Sequence, residues 1–256
     1  MDIINRFFAP KRPATNTDTN LLKLIAMITM FIDHAGKMLF SNYAVFRMVG
    51  RMAFPIYAYC LAVGAIYTKH PMKYVSRMAL LAMISQPLYA LGLNHLNSSM
   101  YTISVREYPV RAIVNFYLKC WYKPSILVAL TCGLILLLML KHRQYILALG
   151  MLLFCYLAQG QLDYGIKGIV LMLLFYLTCE HPLISVPLVA SFMIWWATSG
   201  GGYTLFGQQF TPQMFAVVSL PLIYIPTNSG VKLPKWLFYA FYPAHLALLW
   251  YLTAGL

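Results

Sequence analysis

Long apolar stretches recur from residue 21 to the end of the chain, and they restrict the fold more than any other feature. A helix of about 20 apolar residues is long enough to cross a bilayer. Of the 256 residues, 61% are hydrophobic and 10% are charged, whereas an average soluble domain has about 25% charged residues. This pattern predicts an all-α fold, a polytopic transmembrane helical bundle, with no room for a sizeable soluble domain.

Proline, glycine and charged residues divide the apolar stretches into nine predicted helices. Their predicted spans are residues 20–39, 46–67, 73–93, 125–140, 143–159, 166–179, 183–198, 212–226 and 236–254. The polar and aromatic connection 94–123 is long enough for a re-entrant or interfacial helix, or for a tenth crossing. We expect residues 1–19 to form a cytoplasmic tail and residues 20–256 to form one integral-membrane helical domain.

Basic residues are in excess, with 19 Lys and Arg against 6 Asp and Glu. If nine helices cross, most basic loops lie on the side of the N-terminus, which the positive-inside rule makes cytoplasmic. Membrane lipids are therefore the expected partners of these charges. No basic-aromatic segment is long enough to bind a nucleic acid, and the five scattered cysteines indicate neither a disulfide framework nor a metal site.

An acidic residue and a histidine, Asp33 and His34, interrupt the first apolar stretch. A carboxylate at membrane depth is costly, and it persists where it pairs with a cation, faces a bundle interior or takes part in function. Adjacent helical residues point about 100° apart, so the two side chains need not contact each other. Either His34 faces a site while Asp33 holds Arg51, or the reverse.

Other predicted helices carry polar side chains that can converge with this pair. Arg47 and Arg51 are four residues apart and share a helix face, as do Tyr242 and His245, which are three apart. Gln86 lies within the third predicted helix. A histidine can take a proton from an amine or hydroxyl, while Arg and Tyr can stabilise an oxyanion or hold a phosphate.

Several of these residues also have a structural interpretation, and His245 alone can be a satisfied interior histidine. Arg51 can be the counter-ion of Asp33, because intramembrane charges usually pair. Arg47 can extend to the membrane interface, and Gln86 can join two helices. Asp163 and Lys167 lie in a short loop, where we expect both to be solvated.

Four segments resemble the TraX family of bacterial membrane proteins. They are "LLKLIAMITMFIDHAGKMLF", "FRMVGRMAFPIYAYCLAVG", "YVSRMALLAMISQPLYALG" and "FYAFYPAHLALLWYL". The resemblance rests on an Asp-His pair ending the first helix, a Gly-Arg-x-Ala-Phe-Pro box and a closing Tyr-Pro-x-His. It spans the first ninety or so residues and the last helix.

The resemblance implies a multi-pass acyltransferase of the bacterial cytoplasmic (inner) membrane. The namesake of the family is implicated in acetylating a conjugative pilin, and the family looks like a distant relative of larger membrane acyltransferases. Acetyl-CoA would be the donor and no metal would take part, while the acceptor would be an amine or hydroxyl of a protein or a cell-surface glycan. The implied catalytic residues are His34, Asp33 and His245, and the implied binding residues are Arg51, Arg47, Gln86 and Tyr242.

Two other functions fit the same residues. Acidic and basic groups at membrane depth also suit a proton-coupled transporter or flippase. In a non-catalytic assembly factor for surface appendages, the polar residues would only hold helices together. A cavity lined by Asp33, His34, Arg51 and His245 and reachable from both faces would favour the acyltransferase, whereas a dry, fully paired cluster would favour the structural interpretation.

Overall fold

A computed structural model describes residues 13–93, 103–205 and 208–254 of the chain. The α-helices within these ranges are α1 (Thr19–Met38), α2 (Ala44–Gly50), α3 (Ala53–Tyr67), α4 (Pro71–Gly92), α5 (Pro109–Cys120), α6 (Ile126–Lys141), α7 (Tyr145–Leu157), α8 (Gly165–Thr178), α9 (Pro182–Thr198), α10 (Leu220–Tyr224) and α11 (Lys235–Ala254). A 3₁₀ helix covers Pro212–Ser219, and the short strands β1 (Tyr203–Leu205) and β2 (Gln208–Phe210) pair antiparallel.

The all-α prediction is confirmed, and every predicted helix has a counterpart within a few residues of its expected limits. The second predicted helix is split into α2 and α3 at Arg51 and Met52. Pro55 has no N–H to donate to the carbonyl of Arg51, which removes a hydrogen bond at that junction. The eighth predicted helix is a 3₁₀ helix followed by the short α10, with Pro212 and Pro221 near the start of each.

The connection 94–123 contains the amphipathic helix α5 in its described part, whereas residues 94–102 lie outside the described ranges.

By length and composition, one helical stretch of the described chain, Ala44–Tyr67, is apolar and long enough to cross a bilayer. Five shorter apolar helices of 10–17 residues accompany it.

The helix α3 lies at the centre of the fold and packs against α1, α6 and α8. Almost all of its side chains are buried, from Ala53 to Ala65. The last helix, α11, packs against both α1 and α4, and α4 in turn packs against α6. The first and last helices of the chain are therefore neighbours, and α1, α3, α4, α6 and α11 surround a common space.

The predicted N-terminal tail is described only from residue 13, since residues 1–12 lie outside the described ranges. Residues 13–18 pack against the helices. Ala14 N–H donates to the carbonyl of Cys179, and Asn16 Nδ2 donates to the carbonyl of Leu222. Asp18 then begins α1 by accepting a hydrogen bond from the backbone of Leu21, as expected of an N-cap carboxylate.

Candidate functional site

A cavity of about 690 Å³ occupies the space between α1, α3, α4, α6 and α11. The helix α3 lines it with residues spaced three or four apart, namely Ala53, Tyr57, Cys60, Gly64 and Tyr67. That spacing places them on one face, which runs the length of the helix. The cavity therefore extends along the helices from one end of α3 to the other.

At one end of the cavity, Asp33 accepts hydrogen bonds from two arginines. Arg47 Nη1 lies 2.7 Å from Asp33 Oδ2, and Arg51 Nη2 lies 2.8 Å and 3.0 Å from the two carboxylate oxygens. The helices α1 and α2 approach so closely here that a β-carbon on Gly50 would overlap the side chain of Asp33. Of the two arrangements open from the sequence, Asp33 holds the arginines, and His34 lines the cavity.

His34 makes its hydrogen bond with the last helix. Its Nδ1 lies 2.7 Å from Nε2 of His245, and Nδ1 of His245 lies 2.8 Å from the carbonyl oxygen of Phe241. A carbonyl oxygen only accepts, so His245 Nδ1 carries a proton and donates it there. In the neutral ring, His245 Nε2 is then the acceptor, and His34 Nδ1–H donates to it.

This arrangement fixes the tautomer of His34. Because Nδ1 carries the proton, Nε2 of the neutral ring has a free lone pair, and no described residue makes a hydrogen bond to it. Asp33 makes no hydrogen bond to the ring, so His34 is oriented by His245 and not by its neighbour in sequence. His245 is 4% exposed and lies behind His34, outside the cavity lining.

The side chain of Tyr242 lines the same cavity one turn before His245. It is 3% exposed, and its hydroxyl lies near the Ser125 hydroxyl but makes no hydrogen bond within 3.5 Å among the described residues. Buried polar groups are nearly always hydrogen-bonded, so an unpaired hydroxyl at a cavity wall is available to a bound ligand.

Two residues of the site were missed in the sequence, Asp163 and Tyr164. Both line the cavity, and Asp163 is half-buried there, whereas we expected it to be solvated. Burial raises the pKa of the Asp163 carboxyl, and the nearby charge of Arg51 opposes that shift. Tyr164 accepts a 3.2 Å hydrogen bond from Arg51 Nη1 and stacks on Phe54 at 4.2 Å between ring centroids.

The backbone explains how this loop reaches the cavity. Tyr164 has φ of 62° and Gly165 has φ of 55°, so two consecutive residues adopt the left-handed region. For a tyrosine that conformation is strained, and surrounding contacts must hold it.

Lys167, which was also expected to be solvated, contacts the hydroxyl of Ser199 and lies 5.0 Å from the ring centroid of Trp195.

Gln86 is not brought together with the other candidates. Its Nε2 donates to the carbonyls of Cys120 and Lys123, and its Oε1 accepts from the backbone N–H of Ser125. The side chain is fully buried and does not line the cavity. It joins α4 to the 120–125 connection, as in its structural interpretation.

A second cavity of about 440 Å³ adjoins the first. Arg47, Arg51 and Tyr164 line both cavities, so these three side chains form the wall between them. On the far side lie Trp196 and Gln213, whose buried Nε2 has no partner among the described residues.

Comparison with known proteins gives a family match over most of the chain. A family profile described as TraX protein matches residues 18–253. The probable fimbrial assembly protein FimC, serogroup H1, of Dichelobacter nodosus is 25% identical over 253 residues, which cover 89% of this chain and 92% of that protein. No solved structure matches the chain.

Proposed function

We propose, from the fact that this chain belongs to the TraX family, that it is a membrane-embedded acyltransferase. Acetyl-CoA is the proposed donor, and an amine or hydroxyl group is the proposed acceptor. The relative in Dichelobacter nodosus is named a probable fimbrial assembly protein, which favours a fimbrial or pilin-like protein as the acceptor.

The surface of the protein supports a place in the membrane, with several helices crossing. The outer faces of α7 and α9 expose large apolar side chains, including Ile146 at 88% and Leu183 at 92%. Soluble monomers rarely expose contiguous apolar surface of this kind, whereas lipid covers it. The longer helices α1 and α4 have 20 and 22 residues, and some of their charged residues, such as Lys23, Lys37 and Arg77, line the cavity.

The observation that carries the proposal is the pair of histidines. The Phe241 carbonyl orients His245, which orients His34, and Nε2 of His34 is left as a base facing a cavity. An oriented histidine with a free lone pair is the usual general base for activating an amine or hydroxyl nucleophile.

In the proposed acetyl transfer, His34 accepts one proton and later returns it. His34 Nε2 takes a proton from the acceptor amine or hydroxyl, whose nitrogen or oxygen forms a bond to the carbonyl carbon of the thioester. The carbon–sulfur bond breaks, and His34 returns the proton to the departing thiolate. The products are the acetylated acceptor and free coenzyme A, and His34 ends in its starting state.

The hydroxyl of Tyr242 supplies a donor for the charge that develops on the carbonyl oxygen. It is buried, unpaired and faces the cavity, so binding a substrate oxygen satisfies it. The guanidinium of Arg51 is already held by Asp33 and Tyr164. Asp33 with its two arginines therefore supports the proposed site by fixing α1 against α2 and by keeping a net positive charge near it.

The test compares His34→Ala with His70→Ala in purified, detergent-solubilised protein. His70 is an exposed histidine that does not line the cavity, so it controls for loss of a histidine as such. We expect wild-type protein and His70→Ala to bind acetyl-CoA and to hydrolyse it slowly. His34→Ala should keep binding while hydrolysis falls by about 10²- to 10⁴-fold, the usual contribution of a general base.

Two results would contradict this function. Folded wild-type protein that neither binds nor hydrolyses acetyl-CoA has a different donor or no catalytic role. Full hydrolysis by His34→Ala would remove His34 from the reaction. If His34→Ala also supports normal fimbrial assembly in a host that depends on this protein, a non-catalytic assembly role replaces the enzyme.

A further inference from the structure

Three basic side chains line the cavity at the end opposite His34. They are Lys23 of α1, Arg77 of α4 and Lys235 of α11, here called the basic cluster. Both ion pairs found among the described residues involve Asp33, so no member of the cluster has a described carboxylate within 4.0 Å. Three unneutralised cations at the wall of one cavity form a site for a polyanion.

We infer that the basic cluster binds the phosphates of the donor, which lies lengthwise in the cavity with its thioester at His34. This inference rests on the proposed function, because it takes the donor to be a phosphorylated thioester. It adds the second half of the binding site, far from the reacting atoms.

The last helix brings the cluster together. Lys23 Nζ lies 5.3 Å from the ring centroid of Phe238, and the guanidinium carbon of Arg77 lies 5.9 Å from that of Tyr239. Cations at such distances from aromatic rings are attracted to them. Because Phe238 and Tyr239 are consecutive and Lys235 is one turn earlier, side chains from three helices converge on the first turns of α11.

The distance between the two ends fits an elongated ligand. Lys23 and His34 both line the cavity from α1, eleven residues apart. A rise of about 1.5 Å per residue separates them by about 17 Å along the helix. Between them the wall is uncharged, with residues such as Leu61 and Leu127. A ligand there needs an anionic head, an uncharged flexible arm and a reactive group at the far end.

The cluster also suits phosphate chemically. Arg binds phosphate oxygens with its planar fork of donors, and Lys binds them as a compact charge. The cavity volume of about 690 Å³ is within the usual range of small-molecule sites, about 300–1,000 Å³. With the N-terminus in the cytoplasm, the basic cluster faces the compartment that holds soluble acyl-CoA. An anionic lipid headgroup offers the same phosphate, so the test must separate the two.

The test measures the Kd of coenzyme A and of pantetheine, which lacks the phosphates, by calorimetry in detergent. The variants are Lys23→Gln and Arg77→Gln, and the controls are Lys73→Gln and Lys232→Gln, exposed basic residues outside the cavity lining. We expect each cluster variant to raise the Kd of coenzyme A about tenfold or more, as for loss of a charged hydrogen bond. The Kd of pantetheine should stay unchanged, and the controls should match wild type.

The possible failures are distinguishable. If wild type binds coenzyme A and both cluster variants bind it equally well, the phosphate site is refuted while the acyltransferase survives. If wild type binds inorganic pyrophosphate through the cluster but not coenzyme A, the donor and the proposed function are refuted, and this inference with them. If phosphatidylglycerol nanodiscs abolish coenzyme A binding and the variants change only lipid retention, the cluster is a lipid site.

Discussion

Nδ1 of His34 lies 2.7 Å from Nε2 of His245, although the two residues are 211 positions apart in the chain. The hydrogen bond from His245 to the Phe241 carbonyl fixes the tautomers of both rings. The proposed base is therefore oriented by a second histidine, a neutral partner. Asp33, its neighbour in sequence, instead pairs with Arg47 and Arg51.

The orienting histidine gives the first prediction. His245→Leu should lower kcat between about 10²- and 10⁴-fold, because His34 then loses the partner that selects its tautomer. The KM for acetyl-CoA should change little, since His245 does not line the cavity. His245→Gln should recover part of kcat, because its amide oxygen can accept from His34 Nδ1. If His245 only packs against its neighbours, His245→Leu should keep a higher kcat than His245→Gln.

The unpaired hydroxyl of Tyr242 gives the second prediction. Tyr242→Phe should leave the Tm unchanged or raise it, because a buried unsatisfied hydroxyl costs about 1–3 kcal/mol. Its kcat should fall about 10²-fold, as for loss of an oxyanion donor. Thermal unfolding and steady-state rates on the same preparation check both.

Tyr59→Phe is the matched control for that experiment. The Tyr59 hydroxyl donates to the Asn16 carbonyl at 2.5 Å and lies 2.7 Å from the Thr15 hydroxyl. Its removal should cost about 1 kcal/mol of stability and leave the chemistry intact. If Tyr242→Phe loses stability and keeps full kcat, the hydroxyl has a structural partner and no role at the thioester.

The charge pair gives the third prediction. Asp33→Asn leaves Arg47 and Arg51 without their counter-ion and should cost about 3 kcal/mol, the lower end for breaking a buried pair. The double variant Asp33→Asn/Arg51→Gln should cost less than the sum of the single changes. A double-mutant cycle on unfolding free energies measures this coupling, and strict additivity would contradict it.

The contact between α1 and α2 gives the fourth prediction. Gly50→Ala places a methyl group against the Asp33 side chain, so it should destabilise the protein by about 1–3 kcal/mol and reduce activity. Gly150→Ala is the matched control in α7, since a methyl there meets nothing within 4 Å. That change should be neutral or stabilising. Equal Tm values for both variants would show that α2 can move away from α1 without loss of stability.

Helix positions follow from the sequence because each helix is a long apolar run between strong breakers. The limits of α9, for example, follow from His181-Pro182 and Ser199-Gly200 in the sequence. The break at Arg51 is harder to predict. Pro55 leaves the Arg51 carbonyl without its N–H donor, but a proline can bend a helix without dividing it. The described part of the 94–123 connection contains α5, whose 12 residues are fewer than the about 20 that a spanning helix needs.

The site was only partly predictable. A helix geometry of 3.6 residues per turn allowed Asp33 and His34 to diverge, and they do. The burial of Asp163 was missed because short polar loops are usually solvated, whereas this loop turns inward through left-handed residues. Gly165, which tolerates a positive φ, was the available signal. Gln86 was a candidate because it lies within a predicted helix. Its position in the sequence does not show that its amide is hydrogen-bonded to the backbone groups of Cys120, Lys123 and Ser125.

The two polar pairs of α1 also differ in when they can form during synthesis. Asp33 meets its arginines 14 and 18 residues later, so its charge is compensated as soon as α2 emerges from the ribosome. The hydrogen-bond partner of His34 is His245, which is synthesised 211 residues later. A growing chain can therefore pair its carboxylate early in synthesis, while the proposed base gains its orientation only after α11 has been translated and docked.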